Sequence, residues 1–133
     1  MKKAVLAGSD SYKLCFRYES ATLEGGQFEK PLVVAEFPFP LECGCIDFHE
    51  KWVVTGGQGI VIYYLKPPFE PHRLAEESLQ WKTLWYPNKS LNMFPEAIVQ
   101  VDDETVRILI DVNSENAGVY DVNVYTLETI KRM

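Results

Sequence analysis

Cys43 and Cys45 stand one residue apart, and His49 follows four positions after the second thiol. If that stretch is extended, both thiols point to one side of a strand. Two chemistries could use such a set. A metal would take both thiolates plus two further ligands, and His49 and His72 are the only histidines to supply them. A zinc site normally presents two such pairs at recognisable spacing. A nucleophile and base would use Cys45 and His49, but that requires contact between them and an orienting acid. Four residues across a strand and turn guarantee neither. The expectation is that the thiols are small apolar side chains in a sheet, with no metal, no cofactor and no catalytic residue.

Other stretches are open to a chemical reading. Gly56 to Gly59, GGQG, has the composition of a phosphate loop, but that device needs a helix to follow, and here a β-branched strand follows. A hairpin turn needing positive φ is the expectation. Asp111 to Gly118 offers oxygen ligands at alternate positions in the manner of a calcium loop. It lacks glycine at the sixth position and glutamate at the twelfth, so an Asx-rich hairpin loop is expected. No GxSxG elbow, HExxH helix or paired CxxC occurs anywhere.

Four aromatic residues remain as candidates for recognition: Trp81, Trp85, Tyr86 and Phe94, around a loop rich in proline and asparagine. Exposed, they would form a platform for a peptide or a sugar, since Trp and Tyr combine large area with a polar handle. Buried, they would be core.

The elements that must position these residues read as strands. CIDF, WVVT and IVIYYL, within Cys45 to Leu65, are separated by the turn signals HEK and GGQG, which gives three antiparallel strands. Lys3 to Ala7 and Tyr12 to Tyr18 form a hairpin across GSDS, the second strand alternating Tyr12, Leu14, Phe16 and Tyr18 on one face. Glu24 to Lys30 is expected to turn. Leu32 to Phe37, bounded by prolines, is a short strand near an edge. Pro67, Pro68 and Pro71 mark a rigid loop. From Arg73 a loop or helical turn reaches about Ser78, and a strand covers Trp81 to Tyr86. Pro87 to Pro95 is loop. Ala97 to Val101, Thr105 to Asp111 and Val119 to Leu127 are strands, and the ending ETIKRM frays. That makes about ten strands in a single all-β domain over residues 1–133.

The strands repeat. AVLAGSDSYKLCFRY, WVVTGGQGIVIYYL and VRILIDVNSENAGVYDVNVYTL share one pattern, with PLVVAEF and WKTLWYP lying ahead of the second and third. The unit is four strands, occurring twice, with a half-unit at the start. CIDFHEKWVVTGGQGIVIYYL resembles one blade of a WD-repeat β-propeller: Thr55-Gly56-Gly57 matches the family's small residue and glycine, and Tyr63-Tyr64-Leu65 stands where Trp-Asp ends the strand. The resemblance implies propeller-like four-stranded blades. A ring needs about four to eight of them, so closure by oligomerisation or by further blades of a longer chain is one expectation, and a β-sandwich or small β-barrel is the alternative.

Composition limits the partners. The 133 residues carry 19 acidic against 13 basic side chains, a formal charge of −6, with the cations scattered. Such a surface repels phosphate backbones and anionic lipid, so neither nucleic acid nor a membrane is an expected partner. Three cysteines cannot all pair within the chain, which suits a reducing, cytoplasmic compartment. MKKAVLAGSD starts positive, but its apolar run is shorter than a secretory h-region of about 7–15 residues. The leading functional expectation is a non-catalytic protein- or peptide-binding or assembly module, a homo-oligomer among its forms. The alternative is a small barrel that binds an apolar molecule or carbohydrate, with or without enzymatic activity, in a pocket lined by Tyr63, Trp81 or Trp85.

Overall fold

The structure, a computed structural model, describes residues 4–38, 40–86, 93–111 and 113–133. These form three four-stranded antiparallel sheets, each a meander in chain order. The first holds β1 (Ala4–Gly8), β2 (Tyr12–Arg17), β3 (Ser20–Gly25) and β4 (Phe28–Glu36). The second holds β5 (Cys43–Ile46), β6 (Trp52–Gly57), β7 (Gly59–Tyr64) and β8 (Trp81–Leu84). The third holds β9 (Pro95–Asp102), β10 (Thr105–Ile110), β11 (Gly118–Asn123) and β12 (Thr129–Lys131). Among the described residues there is no helix, and no sheet closes into a barrel.

Twelve strands replace the ten expected, because β3 and β12 escape a reading by composition. Ser20–Gly25 has few strand-favouring residues, yet Ala21 and Leu23 are fully buried between β2 and β4. Thr129–Lys131 does not fray but pairs with Tyr120, Asp121 and Val122. β4 is nine residues rather than a short run, and it lies at the sheet edge as expected. It tolerates Pro31 because the ladder shifts register there, between the Leu23–Leu32 and Gly25–Phe28 pairs. β8 stops at Leu84, where Trp85 turns to a φ of 60°. Asn88, Lys89, Ser90 and Asn92, read as loop, lie outside the described residues.

Adding β3 also moves the boundaries of the repeat. PLVVAEF ends the first sheet and WKTL ends the second, so each sheet is cut one strand later than the sequence unit. The half-unit at the start becomes a complete sheet.

Two apolar cores separate the three sheets. Leu14, Leu23 and Ala35 of the first sheet meet Val53, Val61, Tyr63 and Trp81 of the second. Trp52, Val54, Ile60 and Ile62, on the opposite face of the second sheet, meet Ile98, Val106, Ile108 and Val122 of the third. The middle sheet is thus covered on both faces, which is why β6 and β7 are continuous apolar runs. β2 and β10 alternate instead, their outer faces carrying Lys13, Arg17 and Arg107.

The first strands of the sheets lie side by side, β5 against β1 and β9. Small residues allow that approach. A Cβ on Gly44 would stand 2.8 Å from Leu14 Cδ2 and 3.0 Å from the Val54 carbonyl. Gly44→Val is therefore expected to cost about 1–3 kcal/mol by overpacking, read as a lowered urea midpoint with an unchanged slope.

Turns tie the sheets together at the end where β5 meets β6. The Glu50 carboxylate accepts hydrogen bonds from the Ser9 hydroxyl and from the Ser11 N–H at 2.9 Å. On the other side Gln100 donates to Asp47 at 2.7 Å and accepts from the Phe48 N–H at 2.9 Å.

Candidate functional site

Cys43 and Cys45 face the same side of β5, toward the second core, as the strand period requires. Burial pushes each thiol up to about 12, so neither is a thiolate at neutral pH. His49 is exposed in the β5–β6 turn with Nε2 3.4 Å from Asp103. Among the described residues no group of three or more His, Cys, Asp or Glu side chains is placed to hold a metal.

GGQG forms the β6–β7 hairpin. Gly59 has a φ of 75°, and a Cβ there would stand 2.3 Å from the Trp85 carbonyl, so only glycine fits. Gln58 at the tip is buried and donates to that same carbonyl at 2.9 Å. The segment from Asp111 is an Asx turn: Asp111 Oδ1 accepts the Asn113 N–H at 2.8 Å. Val112, within it, lies outside the described residues.

The four candidate aromatics fall in two places. Trp81 is buried, stacked on Tyr63 at 6.2 Å and edge-on to His72 at 4.7 Å, its indole N–H donating to the Glu76 carbonyl. Tyr86 is buried beside the same histidine, and its hydroxyl donates to the Glu36 carbonyl at 2.7 Å. These two rings are core. Trp85 is half-buried, edge-on to Tyr120 of the third sheet at 5.5 Å. Phe94 is half-buried just before β9, and its carbonyl accepts the Asp111 N–H at 3.2 Å.

A groove of about 910 Å³ opens elsewhere, at the end of the middle sheet where β6 begins and β7 ends. Its walls include Tyr64, Leu65, Pro67, Leu79, Gln80 and Tyr125. Each is held by a specific device. Gln80 turns inward: its amide N–H groups donate to the Tyr64 carbonyl at 2.7 Å and the Lys66 carbonyl at 2.9 Å, and its oxygen accepts the Glu70 N–H at 2.9 Å. Its neighbour Leu79 is driven outward and is 100% exposed. The Ser78 hydroxyl donates to Glu70 at 2.5 Å, closing the same loop.

Tyr125 comes from the third sheet. The strand read over Val119 to Leu127 ends at Asn123, because Asn123 Oδ1 accepts the N–H groups of Tyr125 and Thr126 at 2.8 and 3.0 Å. The turn lays Tyr125 parallel to Tyr64, with centroids 5.8 Å apart, and the Tyr64 hydroxyl donates to the Val124 carbonyl at 2.6 Å. Lys82 donates to the Tyr125 carbonyl. Burial raises Tyr64 to about 12, so both it and its hydrogen bond persist across the physiological range.

Sequence reasoning missed Leu79, Tyr64 and Tyr125 as site residues. Only Leu79 carried a signal: a leucine between serine and glutamine, ahead of the strand of Trp81 and after the proline loop. Chemically the groove offers apolar contact area, carbonyls, the ammonium groups of Lys51, Lys66 and Lys82, and the carboxylates of Glu50 and Glu70. Compared with known proteins, the chain matches no family model, no curated protein and no solved structure.

Proposed function

We propose that this chain is a protein- or peptide-binding module built of propeller-like blades, with the groove at Leu79 and Tyr125 as its binding site. The observation that carries it is Leu79, a large apolar side chain held fully in solvent by a buried glutamine rather than left there by slack. The Gln80 bonds fix the backbone that presents Leu79, so the loop itself has little ordering entropy to lose on binding. A catalytic reading has less behind it, with both β5 thiols protonated. The small-molecule reading also has less. Neither this groove nor the depression at Arg17, Thr22 and Pro31 is lined by Tyr63, Trp81 or Trp85.

The propeller-like reading is supported by three meanders stacked with their first strands adjacent, and by the size gradient between them. In the first core Gly44 of β5 lies against Leu14, while Tyr63, Trp81 and Tyr86 fill the gap farther out. Such a wedge is what successive sheets that fan like blades would need. The outer faces of the first and third sheets expose Val5 (61%) and Val99 (55%), so a second copy stacked on them would extend the fan toward a ring. Light scattering over a concentration series tests that part, and a mass that stays strictly monomeric to the highest concentration overturns ring completion.

The groove is tested by the double substitution Leu79→Asp with Tyr125→Ser. Leu79 is fully exposed, so Leu79→Asp alone should leave the melting temperature in place; Tyr125→Ser also gives up the stacking on Tyr64, and the double variant is judged against that single one. Affinity for peptides that shift the Leu79 and Tyr125 amide resonances should drop about tenfold or more, as for loss of an apolar anchor. Unchanged affinity would remove the groove as the site.

A further inference from the structure

We infer that the groove selects a peptide segment in which a large apolar side chain is flanked by carboxylates. The inference rests on the reading of the groove as a peptide site and adds the chemistry of its occupant. The chain as a whole is acidic, at −6, yet the groove lining holds Lys51, Lys66 and Lys82 against Glu50 and Glu70.

The two carboxylates accept from neutral donors, which occupies their oxygens without cancelling their charge, and three lysines against two carboxylates still leave the lining net positive. Glu50 takes hydrogen bonds from Ser9 and Ser11, which hold its carboxyl below the usual carboxylate range, and Glu70 takes the Ser78 hydroxyl. Lys82 is directed to the Tyr125 carbonyl. Lys51 and Lys66 are exposed, and among the described residues neither has an ion-pair partner. Two unpaired ammonium groups thus border an apolar wall formed by Leu79 and Tyr125. A lysine-bearing peptide would place like charges against them, whereas a glutamate-bearing one would pair with both.

Distance decides against the opposing global field. At about 0.15 M salt the Debye length is about 8 Å, so acidic groups elsewhere on the surface are screened while groove contacts are not. Exposed ion pairs are individually weak, so two of them should give about threefold or more in affinity rather than a hundredfold.

The test uses three acetylated, amidated nonapeptides that share one leucine and one phenylalanine and differ only in the intervening residues: glutamate, glutamine or lysine. Titrations at about 0.15 M salt follow the Leu79 and Tyr125 amide resonances. The expected order of affinity is glutamate, then glutamine, then lysine. In the Lys51→Glu, Lys66→Glu double variant that order should reverse, with the melting temperature unchanged. Equal affinities, or an order that the charge reversal leaves intact, overturn the selectivity while the peptide site stands. If no peptide moves either resonance, the groove reading itself falls and the inference falls with it.

Discussion

Trp52→Ala is expected to lower stability by about 3–5 kcal/mol, the range for deleting a buried tryptophan. Trp52 opens β6, is wholly buried, and packs in the core between the second and third sheets with Val54, Ile60 and Ile62. Its indole N–H also donates to the Asp103 carbonyl at 3.2 Å, in the turn between β9 and β10. One side chain therefore supplies both packing and a directed link to the third sheet. Domains of this size are stable by about 5–15 kcal/mol, so the loss takes a large share of the total. Trp52→Phe keeps most of the apolar area and loses one hydrogen bond to a carbonyl in an exposed turn, so that bond should cost only about 0.5–1.5 kcal/mol. Urea titration followed by far-ultraviolet circular dichroism measures both. A Trp52→Ala midpoint within about 0.5 kcal/mol of the parent would show that the sheets are not held through this residue. A biphasic curve would show that the three sheets no longer unfold as one unit.

What could be read from the sequence followed from where water is excluded. β5, β6 and β7 were legible because both faces of the middle sheet are buried, so their residues are apolar without interruption. The alternation in β2 was legible for the opposite reason, since only one of its faces meets a neighbouring sheet, although Cys15 on the other face is buried too. β3 was not, because SATLEG is held by its partners on either side and not by its own propensity. The groove was illegible for a related reason. Leu79 is exposed only because Gln80, sixteen positions from Tyr64 in sequence, reaches back to that carbonyl. Tyr125 faces Tyr64 across 61 positions, which no local pattern records. The same holds for Trp81 and Tyr86. Their types suggested recognition, but the loop carrying His72 folds over them and makes them core.

That histidine gives the second large effect, a loss of about 3 kcal/mol of stability as pH falls from about 7.5 to about 4. His72 is 1% exposed, and its backbone N–H donates to the Val33 carbonyl at 2.8 Å. Its Nδ1 accepts the Glu36 N–H at 2.9 Å, so the neutral ring carries its proton on Nε2, which has no partner among the described residues. Burial, with a smaller contribution from Arg73, pushes the ring down from 6.5 to about 4. The unfolded chain therefore binds a proton near pH 6.5 that the folded chain refuses until about 4. Stability from this group is complete above pH 6.5 and falls as pH drops through the window down to about 4, where both states are protonated. Each unit in that window is worth about 1.4 kcal/mol. Protonation would also turn Nδ1 into a donor facing the Glu36 N–H, breaking the bond that joins the loop to the end of β4. His72→Gln should flatten the dependence between pH 6.5 and 4.5, whatever it does to stability at neutral pH. If the slope survives in His72→Gln, the acid sensitivity lies elsewhere and the buried ring does not latch the loop over Trp81 and Tyr86.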